Sequence, residues 1–125
     1  MELIFQRANF ELTRIASNRL EFFEDGKVAF TYITKEEMER VGAENGDHEG
    51  IVSIGRDIEG VEVSIFLRET DNGCKASLRS NEYVNVSDVC LLLGGGGHIR
   101  AAGATMQCTI EQAKEKILRQ IKSVI

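Results

Sequence analysis

Residues 61–80 read Val61-Glu62-Val63-Ser64-Ile65-Phe66-Leu67-Arg68-Glu69-Thr70-Asp71-Asn72-Gly73-Cys74-Lys75-Ala76-Ser77-Leu78-Arg79-Ser80. Val61, Val63, Ile65 and Leu67 fall on one face of an extended chain, and Glu62, Ser64, Phe66 and Arg68 on the other, which predicts a strand. Asp71-Asn72-Gly73 is a hairpin-type turn. Cys74–Ser80 then returns as a second strand, with Cys74, Ala76 and Leu78 alternating against Lys75, Ser77 and Arg79. A hairpin between helical segments predicts an α/β domain, a mixed β-sheet with flanking helices.

Upstream, Val28–Ile33 is β-branched and aromatic and reads as a strand. Before it, Phe10, Leu12, Ile15, Ala16, Leu20 and Phe23 recur at helical spacing, which predicts a helix over 9–23 ended by Glu24-Asp25-Gly26. Thr34 and Glu37 fit a capping box that opens a short helix to about Val41. Gly42–Gly50 reads as a loop, and Ile51, Val52, Ile54 and Ile58 as a weak helical or irregular segment. Downstream, Val86–Leu93 reads as a helix capped by Asn85 or Ser87. Ala101–Cys108 is expected to begin helically and end as a short strand. Thr109 and Gln112 form a second capping box. It opens a last helix to about Ser123 with Ala113, Ile117, Leu118 and Ile121 as its core stripe.

The 125 residues suit a single compact domain over 1–125, with no proline, linker or repeat to divide it. A net charge of −5 argues against a sequence-independent coat on long nucleic acid. The charge is unevenly spread: no Asp or Glu occurs from Val89 to Ile110, which holds His98 and Arg100, and Lys75 and Arg79 lie just before. A local positive spot on an acidic body suits a small anionic ligand. No apolar run reaches the roughly 18 residues that span a bilayer, so no membrane partner is expected. The N-terminus lacks a secretion signal, and the expected location is cytoplasmic. Cys74, Cys90 and Cys108 are odd in number and widely spaced, so buried reduced thiols are expected rather than disulfides or zinc.

Gly94-Gly95-Gly96-Gly97-His98-Ile99-Arg100-Ala101-Ala102-Gly103 is the stretch richest in functional information. Four consecutive glycines are costly in backbone entropy and imply special torsions or a close approach. Backbone amides beside a cation suggest an anion site, most simply for phosphate. The run is neither a P-loop, which requires a following Lys-Ser or Lys-Thr, nor a dinucleotide fingerprint, which follows a strand. It reads as a ligand loop or as a flexible turn ending a helix. Arg79 shares a strand face with Lys75 and Ser77, and reads as a phosphate or base ligand or as a solvated edge charge. His98 suits a phosphate donor, a proton shuttle or a structural hydrogen bond; Arg100 suits phosphate or water. Asp47-His48-Glu49 has metal-ligating residue types, but neighbours in a loop rarely converge on one ion.

Lys75–Ser80, Val86-Ser87-Asp88-Val89 and the glycine–histidine–alanine stretch together resemble the C-terminal substrate-binding domain of DHH phosphoesterases. Asp47–Val52 and Gly60–Val63 are similar to segments of the branch containing bacterial nanoRNase, which degrades short oligoribonucleotides and dephosphorylates adenosine 3',5'-bisphosphate. The resemblance runs from about Val28 to Ala104. It implies that hydrolysis belongs to a separate N-terminal domain whose aspartates and histidines hold two ions, manganese or another divalent metal. This sequence has no Asp-x-Asp and no Asp-His-His, so the chain alone is expected to be inactive, with no catalytic residue and no cofactor of its own. The 9–23 helix would be a connector from that domain.

By the resemblance, Gly95, Gly96 and Gly97 offer amides to phosphate, His98 hydrogen-bonds it, and Arg79 binds phosphate or stacks on a terminal base. Ser77, Ser80 and Arg100 are weaker candidates. The implied partners are short RNA oligonucleotides or nucleotide phosphate and the DHH catalytic domain of the same parent chain. Alternatives within the family are a cyclic-dinucleotide phosphodiesterase, a single-strand exonuclease or the C-terminal domain of alanyl-tRNA synthetase. A reading from another class is a non-enzymatic oligomerisation domain, with a second copy as partner in a homodimer.

Overall fold

The hairpin forms as expected. Strands β3 (Val63–Thr70) and β4 (Gly73–Ser80) pair antiparallel from Val63 opposite Ser80 to Thr70 opposite Gly73. These coordinates come from a computed structural model that describes residues 2–44, 46, 48 and 50–125, with side chains from residue 7 onward. The remaining elements are α1 (Glu2–Asn18), β1 (Glu21–Phe23), β2 (Val28–Ile33), α2 (Lys35–Arg40), α3 (Ile51–Arg56), α4 (Val86–Leu92), β5 (Gly96–His98), β6 (Ala101–Met106) and α5 (Ile110–Lys122). The six strands make one sheet in the order β1-β2-β3-β4-β6-β5. Only β2 and β3 run parallel, so the sheet is mixed and the fold α/β.

The sheet is covered unequally. On one face Val63, Ile65, Leu67, Cys74, Ala76, Leu78, Ala102 and Ala104 pack with Val89 and Cys90 of α4 and Ala113, Ile117 and Ile121 of α5. On the other, Phe66 and Ile33 pack with Leu12 and Ala16 of α1 and Ile51 and Val52 of α3. This second layer lies over β2 and β3. Consequently Val63–Leu67 is buried on both faces, and Ser64, inside the second layer, donates its hydroxyl to the Val52 carbonyl at 2.6 Å.

Local chemistry explains the helix starts. The Thr34 and Thr109 side chains each accept the amide of the third helical residue, and Glu37 and Gln112 return the bond. Glu37 also holds Arg19 at 2.7 and 2.8 Å, and that guanidinium lies 4.2 Å from the centre of the Tyr32 ring. The Arg19 guanidinium beside it holds the Glu37 carboxyl down at about 2. Cys74 and Cys90 are buried and Cys108 partly so, all as free thiols; burial pushes the first two up to about 11.

Two expectations are corrected. The N-terminal helix covers Glu2–Asn18 rather than 9–23, and Glu21–Phe23 is the edge strand β1. Glu24, Asp25 and Gly26 all take positive φ, making a tight turn that folds β1 back on β2, so Phe22 and Phe23 belong to a hairpin and not to a helical stripe. Ala101–Met106 is strand throughout, with no helical start. Pairing on both sides, with β4 and with β5, outweighs the helix preference of its alanines.

Candidate functional site

The candidate site is the uncovered part of the sheet. Cross-strand partners point to the same face, so the register fixes what that face carries. One row is Arg68, Lys75 and Thr105; the next is Phe66, Ser77, Gly103 and Gly96; the third is Ser64, Arg79, Ala101 and His98. No described helix of the second layer reaches β6 or β5, and Lys75, Thr105 and His98 are exposed while Ser77, Arg79, Ala101 and Gly103 are half-buried. The result is a shelf of small residues edged by cations.

A cavity of about 470 Å³ opens on this shelf, lined by His48, Phe66, Arg68, Lys75, Ser77, Gly94, Gly95, Gly103 and Thr105 among others. Its size is that of a small-ligand pocket. Its described lining contains no Asp or Glu and three basic residues. The His48 ring stacks on Phe66 with centroids 6.5 Å apart and forms the loop-side wall. Gly103 lines the floor without a side chain, and a Cβ there would lie 2.8 Å from the Ala76 carbonyl oxygen of β4.

The glycine run divides into two structural tasks. Gly94 has φ +86 and ends α4: its N–H donates to the Leu91 carbonyl, and that of Gly95 donates to the Cys90 carbonyl at 2.7 Å. This is a Schellman cap. The Gly95 amide expected to face phosphate is therefore committed to the helix end. Gly95 and Gly97 also let β5 press against β6, since a Cβ on Gly95 would fall 2.1 Å from the Gly103 oxygen and one on Gly97 2.8 Å from the Ala101 oxygen. The Gly97 carbonyl accepts from the Ser87 hydroxyl at 3.1 Å.

The other expected residues separate clearly. Arg79 and His98 share a row on the open face, flanking Ala101, two strand spacings or about 10 Å apart. The Arg79 guanidinium donates to the adjacent Leu78 carbonyl at 3.2 Å and is otherwise uncommitted among the described residues. Ser77 lies on the cavity floor. Ser80 is buried on the opposite face and donates to the Val84 carbonyl at 2.6 Å. Arg100 donates to the Val84 carbonyl at 2.6 Å, to the Glu82 carbonyl and to the Ser80 hydroxyl.

Glu62 explains why Arg100 is placed so. Its carboxylate accepts the N–H groups of Glu82, Tyr83 and Val84 at 2.8–3.2 Å. The loop between β4 and α4 is thus held by its amides on Glu62 and by its carbonyls on Arg100, which satisfies both ends of its backbone dipoles. Sequence reasoning missed Glu62, Arg68 and Thr105. Strand parity could have placed Arg68 and Lys75 on one face, but the β6 register could not be read.

The described residues contain no group of three or more His, Cys, Asp or Glu able to hold a metal ion. Of the Asp47-His48-Glu49 stretch, Asp47 and Glu49 lie outside the described residues. No described helix is long and apolar enough to cross a membrane.

Residues 14–125 match the DHHA1 domain. The chain belongs to the DHHA1 domain family. A Thermus thermophilus protein, the bifunctional oligoribonuclease and PAP phosphatase NrnA, is 41% identical over 91 residues, 72% of this chain and 28% of that protein. This DHHA1 domain therefore spans under a third of that relative's length. An exopolyphosphatase-related protein from Bacteroides fragilis superposes with a TM-score of 0.87 at 29% identity, over 93% of this chain and 34% of its own. The pGpG-specific phosphodiesterase PggH from Vibrio cholerae superposes with a TM-score of 0.64 at 16% identity, over 95% and 40%, a likeness of fold alone. The resemblance to the nanoRNase branch of DHH phosphoesterases read from the sequence agrees with these findings.

Proposed function

We propose that this DHHA1 domain binds the phosphate end of short oligoribonucleotides, or of adenosine 3',5'-bisphosphate, for a metal-dependent phosphoesterase. The observation that carries the reading is the open sheet face bearing Arg79 and His98, beside a cavity whose described lining holds no Asp or Glu, in a chain 41% identical to a bifunctional oligoribonuclease and PAP phosphatase. Arg79 acts as the principal ligand. Its planar guanidinium forks onto a phosphate or stacks on a terminal base. His98 donates from the far side of Ala101, and Gly95 and Gly97 let β5 lie close against β6 beside it. Ser77 supplies a hydroxyl from the floor. Ser80 and Arg100 act through the loop they hold.

Hydrolysis belongs, in this reading, to a DHH catalytic domain of the same parent protein, facing the shelf across a cleft. The manganese or other divalent ions would be held there, activating the water and clamping the leaving oxygen. A short shelf with few fixed donors favours short substrates over long strands.

The test is titration of the pure chain with a labelled diribonucleotide and with adenosine 3',5'-bisphosphate. Saturable binding that weakens about tenfold in Arg79→Ala, as loss of a charge-assisted bond implies, supports the reading. Manganese-dependent hydrolysis by the pure chain would overturn the division of labour.

A further inference from the structure

We infer that Arg68, Lys75 and Thr105 form a second phosphate subsite, separate from the Arg79–His98 row, so that the domain holds an oligonucleotide by two phosphates at once. The inference rests on the function proposed above and specifies its substrate class. Three observations carry it.

First, Arg68, Lys75 and Thr105 are consecutive cross-strand partners on β3, β4 and β6, so two cations and a hydroxyl stand side by side on the open face. All three line the 470 Å³ cavity, whereas Arg79 and His98 do not. Second, Arg68 and Lys75 have no carboxylate partner within 4.0 Å among the described residues, although Lys35 and Lys114 are each paired with one. A cation pair beside a cavity with no described acidic lining is suited to an anion that bridges it. Third, the spacing fits a chain and not a monomer. Lys75 and Arg79 are four residues apart on one strand, which is about 13 Å. The single phosphate of a mononucleotide cannot meet both rows. The backbone of an extended strand of several nucleotides can, passing over Ser77 and Gly103, where small residues leave it room.

Repeating phosphates also occur in inorganic polyphosphate, but adjacent phosphorus atoms there are too close for a tripolyphosphate to span the rows. The experiment measures binding of adenosine monophosphate, a tetraribonucleotide and tripolyphosphate to the wild-type chain, to the Arg68→Ala/Lys75→Ala double variant, to Lys75→Arg and to Arg79→Ala, across a salt series. The double variant should lose about tenfold in tetranucleotide affinity, with its salt slope reduced by about 0.7 for the phosphate released. Monophosphate binding should be unchanged, Lys75→Arg should retain the slope, and tripolyphosphate should bind far more weakly than the tetranucleotide. Unchanged tetranucleotide affinity and slope in the double variant, with Arg79→Ala still impaired, would overturn the second subsite alone. Tripolyphosphate binding as tightly as the tetranucleotide would overturn the spacing argument. Absence of tetranucleotide binding by the wild-type chain would overturn both this inference and the proposed function.

Discussion

Alanine substituted singly through Gly94–Gly97 should give four different stabilities, because each glycine meets different surroundings. At Gly95 the new Cβ would stand 2.1 Å from the Gly103 oxygen and 2.7 Å from the Ala104 Cα. Those are backbone atoms of a paired strand, so relief requires lifting β5 off β6. A cost of about 3 kcal/mol is expected, at the upper end of overpacking penalties. At Gly97 the closest atoms lie at 2.8 Å and φ is +147, which places it next, at about 2 kcal/mol. At Gly94 nothing lies within 4 Å, and only the left-handed φ of +86 is strained, for about 1 kcal/mol. At Gly96 the nearest atom is Leu91 Cδ2 at 3.6 Å, an ordinary contact. There alanine should be neutral or stabilise by up to about 1 kcal/mol through the unfolded chain. Urea denaturation of the four variants gives the ranking directly. In thermal melts Gly95→Ala should lose about 10 °C. Equal stability of Gly95→Ala and Gly96→Ala would refute the claim that the run is fixed by β5–β6 contact.

Three further outcomes follow from the same structure. Arg100→Ala should destabilise by about 1–3 kcal/mol by stripping a charged donor from two loop carbonyls, measured by urea denaturation. Arg79→Ala should leave the melting temperature unchanged, since its guanidinium bonds only the neighbouring Leu78 carbonyl among the described residues. The Glu37 carboxyl is held at about 2 against an ordinary 4.5, so its contribution is fully present above pH 4.5 and is lost as pH falls toward 2. The shift corresponds to about 3 kcal/mol, and Glu37→Gln should flatten the fall in stability over that acid range.

The hairpin was legible because Val61–Leu67 alternates and Asp71-Asn72-Gly73 marks its turn. Thr34/Glu37 and Thr109/Gln112 gave the helix starts because capping is local chemistry. The β1 strand was not legible: Phe22 and Phe23 continue a helical spacing, and only the pairing of Phe22 with Ala29 makes them strand. Ala101–Met106 misled for the same reason, since strand pairing is non-local. At the candidate site, Arg79 and Ser77 could be placed on one face by strand parity, and His98 could be named by residue type alone, since β5 read as a loop. Arg100 could not be separated from them, because its partners are backbone carbonyls of a loop whose path depends on Glu62. For the glycines, local sequence could not show that Gly94 and Gly95 cap α4 or that Gly95 and Gly97 lie against β6, since the second depends on a strand paired later in the chain.

The β4–β6–β5 face is proposed to hold nucleotide phosphate. Amide chemical-shift mapping during titration with a short oligoribonucleotide tests it most directly. Perturbations should concentrate at Lys75, Ser77, Arg79, Gly96–His98, Ala101 and Gly103, with α5 and β1 silent. Saturable shifts confined to any other surface, or none on this face, would contradict it.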